Sequence, residues 1–232
     1  TSSINVTTSG TYSVTMTVGG CPGIASVNIT IPVAPTSTAS QSNVSCNGGN
    51  NGTASVVASG GTGQYTYSWA PSGGTGSTAS GLAAGTYTCT ITDAAGCTTT
   101  STFNITAPSA LSSTGTQTNV SCNGGSNGSA SVSVSGGTPG YSYSWAPSGG
   151  TAATATGLAQ GNYTCTITDA NGCSTTSTVT LTEPTALAAS STQTDVLCNG
   201  NASGSASVSV SGGTPGYTYS WAPAGGTAST AT

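Results

Sequence analysis

The sequence repeats itself with a fixed period of 76 residues. The segment GGTPGYSYSWAP at 136–147 recurs as GGTGQYTYSWAP at 60–71 and as GGTPGYTYSWAP at 212–223. The tryptophans therefore stand 76 residues apart, at Trp69, Trp145 and Trp221. A fixed period decides the architecture, because each period is one structural unit. This period is too long for a solenoid unit and fits one small domain, so we predict a string of small domains.

The period divides the 232 residues into two complete repeats between two partial ones. Residues 1–33 match the second half of a repeat, 34–107 and 108–183 are complete repeats, and 184–232 match a first half. Short proline-containing segments join them, and proline restrains its own backbone and the preceding residue, so we expect semi-stiff joints. The two ends are complementary. We favour a window from a longer array, the alternative being neighbouring copies that complete each other's half domains.

Within a repeat, apolar and polar residues alternate, which is typical of half-buried β-strands. Ala130, Val132 and Val134, for example, share one strand face, with serines between them. Turn sequences such as GGTPG, APSGG and DANG separate the strands, and no segment has a helical period. Six or seven antiparallel strands with a Trp on the third predict an all-β fold of tandem immunoglobulin-like sandwiches. The predicted core residues are Trp69, Trp145, Trp221 and, in the position of a tyrosine corner, Tyr87 and Tyr163.

Charge is almost absent. The chain has no Lys, Arg or His, and its four acids are Asp93, Asp169, Glu183 and Asp195. Without basic residues there is no patch to neutralise phosphates, which excludes nucleic acids and anionic membrane surfaces as partners. No apolar stretch is long enough for a transmembrane helix, so we expect no membrane insertion. Without His or Lys as a base, and without paired acids, we expect no enzyme and no cofactor.

Two of the acids start turns. Asp93 begins DAAG and Asp169 begins DANG, where an Asp side chain caps its own turn. A calcium site at a domain junction is the alternative, but calcium takes about six to eight oxygen ligands, and one Asp per repeat supplies too few. We therefore predict structural turns and no metal.

The eight cysteines keep the period and form three sets. The first set is Cys46, Cys122 and Cys198, the second is Cys21, Cys97 and Cys173, and the third is Cys89 and Cys165. Regular positions without the CxxC spacing of a metal site indicate a disulfide framework in an oxidising, extracytoplasmic compartment.

The favoured pairing follows from the first partial repeat. There a valine replaces the third-set cysteine, as expected of a small buried hydrophobe, whereas Cys21 of the second set persists. The second set should therefore pair with the first, as Cys46–Cys97 and Cys122–Cys173. Such bonds close loops of about 50 residues and are worth about 4 kcal/mol in the chain-entropy model.

Sandwich topology leaves other pairings open, because Cys46 would lie at the far end of its repeat and Cys97 at the near end. Cys46 could bond Cys89 instead, or Cys173 of the following repeat, which would link the array covalently. The other assignments are Cys89 and Cys165 as alternative partners or free thiols, and Cys21 and Cys198 with partners outside the window or in a neighbouring chain.

The pattern NVSCNGGSNGSASVSVSGGTPGYSYSW, followed by GLAQGNYTCTITDANGC and STTSTVTLTEP, resembles the SprB-type repeat. The resemblance extends over both complete repeats and both partial ones. It implies a secreted, cell-surface adhesive or structural protein, since this repeat builds very large adhesins on gliding Bacteroidetes. The chain departs from similar repeats in its third cysteine set, where they usually carry Val, and in its lack of basic residues.

The strand edges indicate how such an array would behave. Natural sandwiches protect exposed edges with Lys or inward-facing charges, whereas the last strand here presents Thr98, Thr99, Thr100 and Thr102. We expect self-association with further copies into an extracellular fibre or sheath. The alternative is the stalk of a large adhesin whose tip, with an unknown surface ligand, lies outside these residues. The aromatic strand could offer a sugar platform, but its alternation favours the core.

Overall fold

The computed structural model describes residues 3–200, 202–223 and 225–232. The regular elements in these residues are antiparallel β-strands. The chain divides into two compact units, Thr1–Pro108 and Ser109–Thr232.

The first unit contains a hairpin followed by six strands. The hairpin pairs β1 (Gly10–Val18) with β2 (Cys21–Ile29). The six strands are β3 (Thr36–Ser42), β4 (Gly52–Ser59), β5 (Thr66–Ala70), β6 (Thr78–Leu82), β7 (Gly85–Thr92) and β8 (Thr98–Ile105). They form two three-stranded sheets, in the orders β3-β4-β6 and β5-β7-β8.

The second unit contains six strands followed by three. The six are β9 (Ser112–Thr118), β10 (Gly128–Ser135), β11 (Ser142–Ala146), β12 (Thr154–Leu158), β13 (Gly161–Thr168) and β14 (Ser174–Leu181). They form the sheets β9-β10-β12 and β11-β13-β14. The last three, β15 (Ala188–Thr194), β16 (Ser205–Ser211) and β17 (Thr230–Ala231), form one sheet.

The strand order of the two six-stranded sandwiches is immunoglobulin-like. The first, second and fourth strands share one sheet and the third, fifth and sixth share the other. These are the A-B-E and C-F-G sheets of an immunoglobulin domain, without strand D. The prediction of an all-β chain of tandem immunoglobulin-like sandwiches is confirmed.

Each sandwich has its own core, built from the inward residues of both sheets. In the second sandwich, Cys165 and Ile167 of β13 are fully buried in one cluster with Ala130 and Trp145. The first sandwich has an equivalent cluster, in which the rings of Trp69 and Phe103 lie 5.3 Å apart between centroids. Alternation on the central strands thus produces a closed core wherever two sheets are present.

Local hydrogen bonds fix the aromatic residues within each sandwich. The Tyr163 hydroxyl donates to the Ala159 carbonyl at 3.2 Å, which is the geometry of a tyrosine corner. The indole N–H of Trp145 donates to the Ala152 carbonyl at 2.9 Å across the following turn. That turn needs glycine at Gly149, because φ is +133° and a Cβ there would lie 2.9 Å from the Cβ of Trp145.

Candidate functional site at the two ends of the repeat

We call the end of a sandwich where the chain arrives its leading end, and the end where the chain departs its trailing end. The leading end of the second sandwich is organised by the carboxylate of Asp169. Oδ1 accepts the backbone N–H groups of Asn171 and Cys173, both at 2.9 Å, within the turn that joins β13 to β14. Oδ2 accepts the N–H of Thr138 at 2.8 Å, from the loop before β11. One side chain therefore fastens two loops that are 31 residues apart in sequence.

The first sandwich repeats this arrangement. Asp93 accepts the backbone N–H groups of Thr62, Ala95 and Cys97 at 2.8–3.0 Å. Asp93 and its counterpart in the second sandwich are only about 5% exposed. In both, the N–H of the threonine is the main cause of a pKa lowered from the usual 3.8, and desolvation opposes it.

The prediction of structural turns for Asp93 and Asp169 identified part of this role. The bond to the threonine loop was not predicted, because a turn motif shows only local contacts. One signal was available: each complete repeat contains both a GGT segment and the Asp. No group of three or more potential metal ligands occurs in residues 3–200, 202–223 and 225–232.

The trailing end holds the loop that follows β3 or β9. In the first sandwich, Asn47 donates to the Pro108 carbonyl at 3.0 Å, and Gly49 closes the loop by donating to the Cys46 carbonyl at 3.0 Å. In the second, Asn123 donates to the Pro184 carbonyl at 3.2 Å and to Glu183 at 2.8 Å. Each asparagine thus ties the first-set cysteine loop to the linker that leaves its own sandwich.

The two cysteine sets of the favoured pairing lie at opposite ends of a sandwich, which corrects the expected bonds Cys46–Cys97 and Cys122–Cys173. Cys46 belongs to the trailing end, whereas Cys97 adjoins the Asp93 turn at the leading end. β8, with eight residues, runs between them and spans about 26 Å, but a disulfide needs Cα atoms within about 7 Å. Accordingly, Cys97 and Cys122 are thiols, whereas Cys46 and Cys173 are disulfide-bonded.

The third set lies inside the two cores. Cys89 and Cys165 are thiols with no exposed surface, which places them with the small core hydrophobes. Burial raises the pKa of both thiols above the usual value. The alternative bond Cys46–Cys89 is therefore not formed. The remaining thiols, Cys21 and Cys198, are exposed.

The aromatic candidates follow the completeness of their repeats. Trp69, Trp145, Tyr87 and Tyr163 are each at most 7% exposed, whereas Trp221 of the third repeat is only half-buried. In the complete repeats the indoles thus lie in the core and do not form a surface platform.

The SprB repeat family matches three segments, residues 38–76, 114–150 and 190–226. The chain is built from SprB-type repeats. Each match covers the first three strands of a repeat and the turn after the Trp. The Asp turn and the second cysteine set lie outside the matched segments. These repeats make the chain a cell-surface repeat protein of the adhesin type, structural rather than catalytic.

No curated protein matches the sequence. Among solved structures, the eight N-terminal Ig domains of Down Syndrome Cell Adhesion Molecule, isoform 1.30.30, are 14% identical, with a TM-score of 0.40 over 70% of this chain and 26% of that one. A structure titled "Structural basis for Dscam isoform specificity" is 12% identical, with a TM-score of 0.32 over 71% and 51%. The SprB-type chain spans about a quarter and a half of these two structures.

A third similar structure, Dpr2 Ig1-Ig2 in complex with DIP-Theta Ig1-Ig3, is 12% identical, with a TM-score of 0.28 over 75% of this chain and 73% of that one. The immunoglobulin-like assignment depends on the strand order described above and not on these similarities. Within the described residues, no helix has the length and apolar character needed to cross a bilayer.

Proposed function

We propose that this chain is part of an extracellular fibre, secreted to the cell surface, in which the repeats act as spacers and make the assembly contacts with further copies. The observation that carries the proposal is the outer face of the sheets β5-β7-β8 and β11-β13-β14. We call this surface the hydroxyl face.

The hydroxyl face consists of neutral side chains on adjacent strands. In the second sandwich, Thr164 lies opposite Thr178 and Thr166 lies opposite Thr176, while the residues between them on β13 point into the core. The hydroxyls of Thr164 and Thr178 are 3.0 Å apart. The first sandwich carries the same surface, with Thr88 opposite Thr102. The array thus presents one chemical pattern on successive repeats.

Folding reduces the exposed charge further. Of the four acids, Asp93 and Asp169 are buried in hydrogen bonds at the leading ends, and Glu183 is bonded to the Cys122 loop. Asp195 lies before β16, outside the two complete sandwiches. The hydroxyl faces therefore contain no charged residue, and like-charge repulsion cannot hold two copies apart.

Charge placed on the hydroxyl face tests the proposal. The substitutions Thr100→Lys and Thr176→Lys introduce one charge on each face, at exposed positions of β8 and β14. The matched control, Ser148→Lys, adds a charge at an exposed turn outside the face. We expect the unmodified chain and the control to assemble in sedimentation velocity and electron microscopy, and the face variant to remain monomeric while its circular dichroism is unchanged. An unmodified chain that stays monomeric at high concentration across a wide range of salt contradicts the proposal.

A second candidate, the stalk of a large adhesin, is favoured by the SprB match. Residues 122–156 and 198–232 differ at six positions, all small or polar exchanges. Near-identical repeats suit a spacer as well as a lattice, and a stalk would carry its binding tip elsewhere. Electron microscopy of native material separates the two, since regular lateral contacts indicate a fibre and isolated thin stalks indicate an adhesin.

A further inference from the structure

We propose that consecutive repeats are joined by a disulfide from the first-set cysteine of one repeat to the second-set cysteine of the next. In this chain the pair is Cys46 and Cys173, 127 residues apart. The inference concerns the covalent path along the array and does not depend on whether the array forms a fibre.

The first set lies beside the linker that leaves its sandwich. The loop of Cys46 is held to the Pro108 carbonyl through Asn47 at 3.0 Å. The loop of Cys122 is held to the Pro184 carbonyl through Asn123 at 3.2 Å.

The second set lies beside the linker that arrives at its sandwich. The Cys173 N–H bonds to Asp169, whose other oxygen holds the N–H of Thr138. The preceding residue in that loop, Gly137, donates to the Ser109 carbonyl at 2.9 Å. In the first sandwich, the sulfur of Cys97 lies 4.0 Å from the Pro32 carbonyl oxygen. Since the linker that leaves one repeat arrives at the next, the two sets converge on the same joint.

The joint between the second and third repeats shows the same convergence from contacts within one unit. The hydroxyl of Thr214 donates to the Ser121 carbonyl at 3.4 Å, directly beside Cys122. A cleft there is lined by Cys122, Leu187, Thr214 and Tyr217. Thr214 occupies the position of Thr138, which in a complete repeat is bonded to the turn that contains the second-set cysteine. Cys122 therefore faces the place where that cysteine would stand in the following repeat.

The oxidation states fit this rule. Only Cys46 and Cys173 have a partner one repeat away within the printed sequence, because Cys122 and Cys198 would need positions 249 and 325, and Cys21 and Cys97 would need positions before the first residue. Cys46 and Cys173 are the disulfide-bonded pair, and the other six cysteines are thiols. A pairing rule within each repeat would leave a different set of thiols.

The bond forms by oxidation of two thiols, which lose two protons and two electrons as the S–S bond is made. The oxidant is a second disulfide, such as that of a thiol oxidoreductase or oxidised glutathione, which is reduced to two thiols. The product encloses residues 47–172, so a pull on the two ends of the chain would not extend these 126 residues. At about 3.3–3.6 Å per residue, reduction should release roughly 420–450 Å of extra length.

Aspartate positions allow a direct test, because cleavage before Asp separates the candidate cysteines. The peptides are 1–92 with Cys46, 93–168 with Cys97 and Cys122, 169–194 with Cys173, and 195–232 with Cys198. The full chain is oxidised with glutathione, the monomer is isolated, thiols are blocked under denaturing conditions, and the digest is examined by mass spectrometry. We expect 1–92 linked to 169–194.

Matched variants assign the bond to its sulfurs. Cys46→Ser and Cys173→Ser should each abolish the link, whereas Cys122→Ser and Cys97→Ser, which change the same two positions one repeat away, should leave it intact. Peptide 93–168 linked to either 1–92 or 169–194, or an unlinked digest, overturns the proposal. Force extension of the oxidised and reduced chain gives an independent readout, and equal contour lengths would also overturn it.

Discussion

The complete and the partial repeats share a sequence pattern but differ in burial. Cys165 and Ile167 on β13 have no exposed surface. Their counterparts in the first partial repeat, Val14 and Met16 on β1, are 54% and 59% exposed, although β1 pairs with β2 along its full length. Pairing within a sheet therefore does not bury the alternating residues, and burial needs the second sheet.

Other features persist without the second sheet. The indole of Trp221 donates to the Ala228 carbonyl at 2.9 Å, as Trp145 does to Ala152 at the same distance. Trp221 is nevertheless only half-buried. The turn and its hydrogen bond are thus determined locally, whereas the core is a property of the whole repeat.

The largest expected effect comes from removing an indole. Trp145→Ala should destabilise the second sandwich by about 3–5 kcal/mol, the usual cost of deleting a large buried aromatic side chain. Trp221→Ala, the matched change in a half-buried site, should cost much less. Scanning calorimetry at low protein concentration measures both. Equal losses for the two variants would contradict the comparison.

The next effect is a dependence of stability on acid. Because the folded pKa of Asp93 and Asp169 is lowered, the stability they contribute is complete above the usual 3.8 and is lost as the pH falls through the lowered value. The double variant Asp93→Asn, Asp169→Asn should have a lower urea midpoint at neutral pH and a flatter acid profile. The control Asp195→Asn, at an exposed site, should follow the unmodified chain, and an unchanged acid slope in the double variant would refute the assignment.

A smaller effect is expected at the tyrosine corner. Tyr163→Phe removes the bond to the Ala159 carbonyl and should cost about 1 kcal/mol. Tyr12→Phe removes the corresponding bond to Thr8, but in a partial repeat whose neighbours are exposed. We expect a lower thermal midpoint only for Tyr163→Phe. A similar drop for Tyr12→Phe would show that the partial repeat is folded as firmly as the complete one.

The smallest effect is expected for Cys165→Val, since Val14 occupies this position in the partial repeat. The exchange conserves a small buried hydrophobe and should change stability by less than about 1.5 kcal/mol. Thiol labelling provides the parallel measurement: Cys89 and Cys165 should react only after unfolding, whereas Cys122 should react in the native chain. Rapid native labelling of the buried pair would place the core elsewhere.

The sequence was sufficient to predict the repeats, the strands and the fold, because period, alternation and turn residues act locally. It did not predict the bond from Asp169 to Thr138, which depends on two loops that meet only after the sheets pack. It also favoured the wrong cysteine pairing. The persistence of Cys21 beside Val14 correctly separated the second and third sets, but substitution patterns contain no distances. Only the topology shows that Cys46 and Cys97 stand at opposite ends of a sandwich.

Amide hydrogen exchange of the 232-residue chain tests most directly whether each complete repeat closes around its own core. We predict two slow-exchanging blocks, within residues 36–105 and 112–181, with faster exchange in β1, β2 and β15–β17. Trp145→Ala should release the second block and leave the first protected. Loss of protection in both blocks together, or equal protection throughout the chain, would contradict the account.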